Sequence, residues 1–190
     1  MLISRNTYKS LFLIALALCS AWSFAQSKTS FGSANATQCF IASGNPSSLL
    51  DARVCSNAIR HDNLSKRDLA ATHTNRGIIL AAGGELRQAL EDHNQAAQLK
   101  KDLSKIYINR GTVFHRLKEY EKALLDYQKA LDLGGVPKDI VEYNRALSLL
   151  KIRKTKEALK ALERALGYNP GSLRVKAKIK AISSPGNIQK

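Results

Sequence analysis

The chain has 190 residues, 30 Lys+Arg against 15 Asp+Glu for a formal net charge of +15, and 44% hydrophobic content. That is enough apolar material for one or two small domains with a packed core, which excludes a wholly disordered basic tail. Aromatic residues are only 6%, which argues against a surface built to stack nucleobases and favours a helical protein rich in Ala, Leu and Lys.

Residues 1–25 begin with Arg5 and Lys9, continue through the apolar run Leu11 to Cys19, and close on Ser-Ala-Trp-Ser-Phe-Ala. A charged start, a short apolar centre and a small residue at the end are the parts of a secretory signal peptide, with cleavage expected after Ala25. The run is too short to span a bilayer, which takes roughly 20 residues, so no stable membrane span is expected after cleavage. Cys19 suggests a lipoprotein, but Leu18 stands where such a site normally carries a small residue. Without Arg5 and Lys9 the charge is +13, so the basicity belongs to the mature protein. A periplasmic or secreted location follows.

Residues 26–69 hold Cys39 and Cys55, the two cysteines left after cleavage. In an oxidising compartment they are expected to bridge, closing a 17-residue loop worth about 3 kcal/mol in the chain-entropy model; two buried thiols are the alternative. Neither lies in a C-x-x-C motif, and His61, His73, His93 and His115 have no metal-ligand spacing, so no metal or cofactor is expected. Leu49-Leu50, Val54-Cys55 and Ala58-Ile59 fall on one face of a helix within 46–65.

From about residue 70 the chain repeats itself. Asn75-Arg76-Gly77 recurs as Asn109-Arg110-Gly111 and Asn144-Arg145-Ala146, at spacings of 34 and 35 residues. The same offsets carry Ala89-Leu90, Ala123-Leu124 and Ala158-Leu159, and again Ala96, Ala130 and Ala165. Apolar residues inside each unit recur at helical spacing and break at Gly83-Gly84 or Leu117-Lys118, so each unit reads as two helices and a tight turn. Gly77, Gly111 and Ala146 stand where the two helices would cross. Leu80, Phe114 and Leu149, with His93, Tyr127 and Leu162, would fill the space around the crossing. Gly134-Gly135 with Pro137, and Gly167 with Pro170, are expected to end second helices. Arg76, Arg110 and Arg145 either pair with acids such as Asp92, Asp126 and Glu142 or snorkel along the outside.

These residues resemble the tetratricopeptide repeat family over about residues 70–172. The resemblance lies in the small residue of each first helix, the Ala-Leu opening each second helix, the later Ala, and Pro170. The chain departs from the pattern at His73, His93, Lys101 and Glu142. The resemblance implies an all-α, right-handed solenoid of three helix hairpins, 70–103, 104–138 and 139–172, with a concave binding face. The segment 26–69 would be an N-terminal cap, its helix pinned by the Cys39 to Cys55 bridge. The N-terminal region also resembles small exported proteins of this family from Gram-negative bacteria, which implies a periplasmic scaffold. Residues 173–190 read as a basic capping helix and a disordered tail from Ser183. The alternation of Leu173, Val175, Ala177, Ile179 and Ala181 with basic residues leaves a strand open.

In the family the first helix of each pair lines the concave face. On this register the partner-binding side chains would be Thr74, Ile78, Lys105, Ile108, Asn109, Thr112, Arg116, Tyr143, Asn144, Leu147 and Lys151, with His115 the one histidine on that side. Apolar centres flanked by Lys105, Arg116 and Lys151 suit a peptide or partner protein of some acidic character. Asn75, Asn109 and Asn144 serve either hydrogen bonds between helices or direct peptide contact. The carboxylate clamp of some chaperone cofactors is not implied, because Thr74 and Ile78 occupy its positions. No nucleophile with a base, phosphate loop or metal cluster is legible, so no enzyme is expected. The alternative to a non-enzymatic scaffold is an electrostatic binder of anionic envelope polymer or nucleic acid, since 11 Lys+Arg face 2 Asp+Glu from Lys151 onward. Export makes nucleic acid the lesser possibility.

Overall fold

The structure is a computed structural model that describes residues 33–46 and 51–183. The expected signal segment with Cys19, the pair Leu49 and Leu50, and the tail 184–190 lie outside the described residues. Nine helices make up those residues: α1 (Ala34–Gly44), α2 (Asp51–His61), α3 (Lys66–Ala82), α4 (Leu86–Leu99), α5 (Ser104–Arg116), α6 (Tyr120–Leu133), α7 (Lys138–Lys151), α8 (Thr155–Tyr168) and α9 (Leu173–Ser183). They pair as α1/α2, α3/α4, α5/α6 and α7/α8, each hairpin stacks on the next, and α9 closes the stack against α8.

The three repeated turns are chemically different but conformationally one. Gly84, Lys118 and Arg153 occupy the same step, at φ of +92°, +65° and +60°. Each is followed by an amide that reaches back to the first helix: Glu85 to the Leu80 carbonyl, Glu119 to Phe114 and Lys154 to Leu149, all at 2.9 Å. That is the six-to-one bond of a Schellman turn, which satisfies a carbonyl the helix end leaves open. Between hairpins, Gly134 at φ +71° and Gly135 at φ +67° end α6, and Pro137 opens α7. Gly167 does not end a helix: α8 runs through it to Tyr168 and stops at Asn169, whose amide bonds the Ala165 carbonyl at 3.0 Å.

A spacing of sixteen residues organises each hairpin. Gly77 faces His93, and a Cβ there would stand 2.8 Å from the ring; Gly111 faces Tyr127, where a Cβ would again lie 2.8 Å away. The glycines therefore make room for a ring at the helix crossing, and at Gly111 also for the Ala123 carbonyl, 3.3 Å from where a Cβ would stand. In the third hairpin Ala146 faces Leu162, and both are fully buried. One step earlier the same offset joins Arg76 to Asp92 and Arg110 to Asp126, so these arginines pair and do not merely run along the outside. Arg145 has Ala161 at that offset and pairs instead with Glu142, Nη1 to Oε2 at 3.5 Å, while the same carboxylate accepts from Arg164 Nε at 2.6 Å and Nη2 at 3.0 Å.

The N-terminal cap is a full hairpin. Ser33 caps α1 by accepting the Ala36 amide at 3.0 Å, while Asp62 beyond α2 accepts from the Ser33 hydroxyl and from Asn35 Nδ2 at 3.0 Å. The Cys39–Cys55 disulfide joins the two helices with Cα atoms 4.8 Å apart, and both cysteines are buried against α3 and α4. Cys39 lies on a helix, where the sequence reading had only an N-terminal segment. At the other end α9 is helical: Val175 is buried and Ile179 and Ile182 pack beside it on α8, whereas Leu173 is 79% exposed. The helical stripe, not the alternation, is what the neighbouring hairpin covers. Among the described residues no helix is long and apolar enough to cross a membrane.

Candidate functional site

First helices approach one another across hairpin boundaries and build one continuous face. Arg116 at the end of α5 donates to the Ala81 carbonyl of α3. His115 Nδ1 lies 2.8 Å from the Ser148 hydroxyl of α7, whose oxygen also reaches the Asn144 carbonyl at 3.3 Å. Arg174 of α9 places its guanidinium 4.1 Å from the centre of the Tyr143 ring, within the range of a cation–π contact. These contacts set α3, α5, α7 and α9 side by side.

The predicted site residues fall into three groups on this face. Thr74 and Tyr143 are buried, Thr74 donating to the Ala70 carbonyl at 2.8 Å and Tyr143 sitting in the core cluster under Arg174, so both offer a partner little surface. Ile78, Ile108, Thr112 and Leu147 are half-buried; the Thr112 hydroxyl donates to the Ile108 carbonyl at 2.9 Å and receives the Tyr127 hydroxyl at 3.5 Å. Lys105, Arg116 and Lys151 are exposed, and Asn109 and Asn144 are half-exposed. Among the described residues none hydrogen-bonds the side chains of Asn75, Asn109 or Asn144, which removes the bonds between helices as an account of their recurrence.

Electrostatics separates the interior from this face. Burial opposes ionisation of Asp92, yet hydrogen bonds from Arg76 and His73 outweigh it and hold the carboxyl below its ordinary range. His93 is 1% exposed, neither ring nitrogen has a partner among the described residues, and burial pushes its pKa down to about 4 despite the nearby Asp92 carboxylate. Tyr127 is pushed up to about 12, chiefly by burial. On the inner face His115 is lowered by burial and then by the charge of Lys151. No group of three or more His, Cys, Asp or Glu side chains that could hold a metal is found among the described residues.

Two features escaped the sequence reading. A cleft of about 380 Å3 opens between α1, α3 and α5, lined by Phe40, Ala71, Asn75, Leu103, Lys105 and Ile106 among others, and Phe40 comes from outside the repeats. Two further hollows lie at hairpin boundaries, one among α2, α3 and α4 around Arg76 and Ser56 and one between α4 and α5 around Arg110 and Asn94, where each arginine also bonds the preceding hairpin at 3.0 and 3.1 Å. The sixteen-residue recurrence of Arg and Asp was the available signal for the latter.

Comparison with known proteins agrees with this geometry. Residues 104–133 and 143–172 each match the tetratricopeptide repeat. No curated protein matches the chain in sequence. Among solved structures, the first tetratricopeptide domain of Spaghetti (RPAP3) bound to the HSP90 peptide SRMEEVD is 20% identical with a TM-score of 0.58, over 62% of this chain and 92% of that one. YrrB, described as a TPR protein with an unusual peptide-binding site, is 25% identical with a TM-score of 0.58, over 67% of this chain and 63% of that one. MamA is 19% identical with a TM-score of 0.63, over 72% of this chain and 78% of that one. The α3/α4 hairpin shares its turn and its Arg–Asp pair with the matched α5/α6 unit, and the turn recurs in α7/α8. The chain belongs to the tetratricopeptide repeat family.

Proposed function

We propose that this protein is a non-enzymatic protein-interaction scaffold that holds an extended segment of a partner on the face built by α3, α5 and α7. One observation carries the reading. Asn75, Asn109 and Asn144 stand at the same step of three successive first helices, and among the described residues none has a side-chain hydrogen-bond partner. A side-chain amide offers one acceptor and two donors, the complement of a peptide backbone unit, so three in register suit a chain lying across the helices. The peptide-bound Spaghetti domain, of the same fold, supports the use of such a face. The setting we propose is exported and oxidising, such as a bacterial periplasm; the buried Cys39–Cys55 pair and the leader-like residues 1–25 support it.

The test is the triple variant Asn75→Ala, Asn109→Ala, Asn144→Ala in the whole protein. At about 1 kcal/mol for each lost hydrogen bond, capture of the partner cross-linked in the native envelope should weaken roughly a hundredfold, with the helical circular dichroism unchanged. Undiminished capture refutes the groove.

A further inference from the structure

The inner face changes character along its length. At the α1 end the cleft walls are Phe40, Ala71, Leu103 and Ile106, and the charges at its rim cancel, Arg67 and Lys105 against Asp68 and Asp102. Phe40 is 68% exposed, and it also lines an adjoining hollow of about 240 Å3 with Ala36, Ala71 and Asn75. An aromatic side chain this open between two hollows is apolar surface that a partner can remove from water. Its backbone is anchored, because the neighbouring Cys39 is tied to Cys55. Toward the other end the face becomes cationic. Arg116, Lys151 and Arg174 come from α5, α7 and α9, and among the described residues none has an acidic partner: Arg116 reaches a carbonyl and Arg174 a ring. Lys151 is exposed, close enough to His115 for its charge to lower that group.

We propose that the groove is directional: a bound segment seats a large apolar side chain in the cleft shared by α1, α3 and α5, and lays acidic residues against Arg116, Lys151 and Arg174. This rests on the peptide-groove reading above. It adds that α1, a helix outside the repeats, supplies the anchor subsite. Four first helices at about 10 Å per step give a groove of roughly 30 Å, which about nine or ten extended residues span.

The experiment uses the whole protein with its disulfide intact and synthetic twelve-residue peptides carrying Leu-Trp-Leu at one end and four Glu at the other, made in both chain orders, with Gln-for-Glu counterparts. Fluorescence anisotropy should show at least one Glu peptide binding tenfold or more tighter than its Gln form. Arg116→Glu with Lys151→Glu should erase that advantage. Phe40→Ser should weaken the Glu and Gln forms alike by fivefold or more, and so should reduction of the disulfide. A benzophenone on the apolar end should cross-link to α1, α3 or the start of α5, and one on the acidic end to α7 or α9. Equal affinity of Glu and Gln forms, cross-links in the opposite sense, or an equal loss from Lys156→Glu on the exposed side of α8 overturns the directional groove and leaves the peptide reading standing. No binding by any peptide in either order overturns both.

Discussion

Arg110 and Asp126 meet side-on across the α5/α6 hairpin, Nε to Oδ2 and Nη2 to Oδ1, both at 2.8 Å. The carboxylate is nearly buried, so its charge is tolerable only while the guanidinium stays. Arg110→Leu is therefore expected to cost about 3–5 kcal/mol. Adding Asp126→Ala, which copies Ala161 opposite Arg145, should recover most of that loss. Urea denaturation of the two variants checks it; a double variant as unstable as the single one would show that the pair is not the source.

Acid should loosen the first repeat through His93. Its folded pKa of about 4 lies below the ordinary value of 6.5, so the unfolded chain binds a proton more readily than the folded one between those values. Stability from this group is complete above about pH 6.5 and falls as pH drops toward 4, by about 3 kcal/mol in all. Below pH 4 no more is lost through this group. Asp92 acts lower: its depressed carboxyl contributes above its unfolded value near 4, a contribution lost as pH falls through the folded pKa. His93→Leu, matching Leu162, should flatten the profile between pH 6.5 and 4, measured by denaturation at several pH values.

Space at the helix crossing should be transferable between hairpins. Gly111→Ala places a methyl 2.8 Å from the Tyr127 ring and 3.3 Å from the Ala123 carbonyl, and is expected to cost about 1–3 kcal/mol. Combining it with Tyr127→Leu recreates the Ala146 and Leu162 pair of the third hairpin. The double variant should be more stable than the sum of the two single changes, a coupling that a double-mutant cycle reads directly.

Lys118 and Arg153 hold left-handed backbone where the first hairpin has Gly84. Left-handed φ costs a residue with a Cβ about 1–2 kcal/mol, offset in part by the greater freedom of glycine in the unfolded chain. Lys118→Gly is thus expected to stabilise by up to about 1 kcal/mol. A fall in melting temperature would contradict this account of the turn.

Sequence alone reached the hairpin register because three markers, at Asn75, Ala89 and Ala96 and their successors, keep one spacing whatever the residues between them do. Helix α1 was not legible: Ala34–Gly44 is short, polar at Asn35, Thr37 and Gln38, and exposes Phe40 and Ile41, so it lacks the apolar stripe that announces a buried face. What fixes it is tertiary, the Ser33 cap, the Asp62 bonds and the disulfide. The partnering of Arg76 and Arg110 was within reach, since Asp92 and Asp126 follow at one offset, but surface and buried carboxylates look identical in sequence. Of the residues expected on the concave face, Thr74 and Tyr143 turn inward, because a period of 3.6 residues leaves adjacent positions near the boundary between the core and the inner face. Phe40 was not legible as a cleft residue because the repeat register begins only after it.

The two ends of the array are held very differently. At one, Cys39–Cys55 makes the α1/α2 hairpin inseparable from itself; at the other, α9 leans on α8 with Val175 as its one fully buried side chain among the described residues. In a stack where each unit is steadied by its neighbours, such asymmetry gives the molecule a hard end and a soft end, and unravelling starts from the soft one. Arg174 on α9, with its contact to the Tyr143 ring, is the first of the three cations to go, while the apolar cleft beside α1 outlasts it.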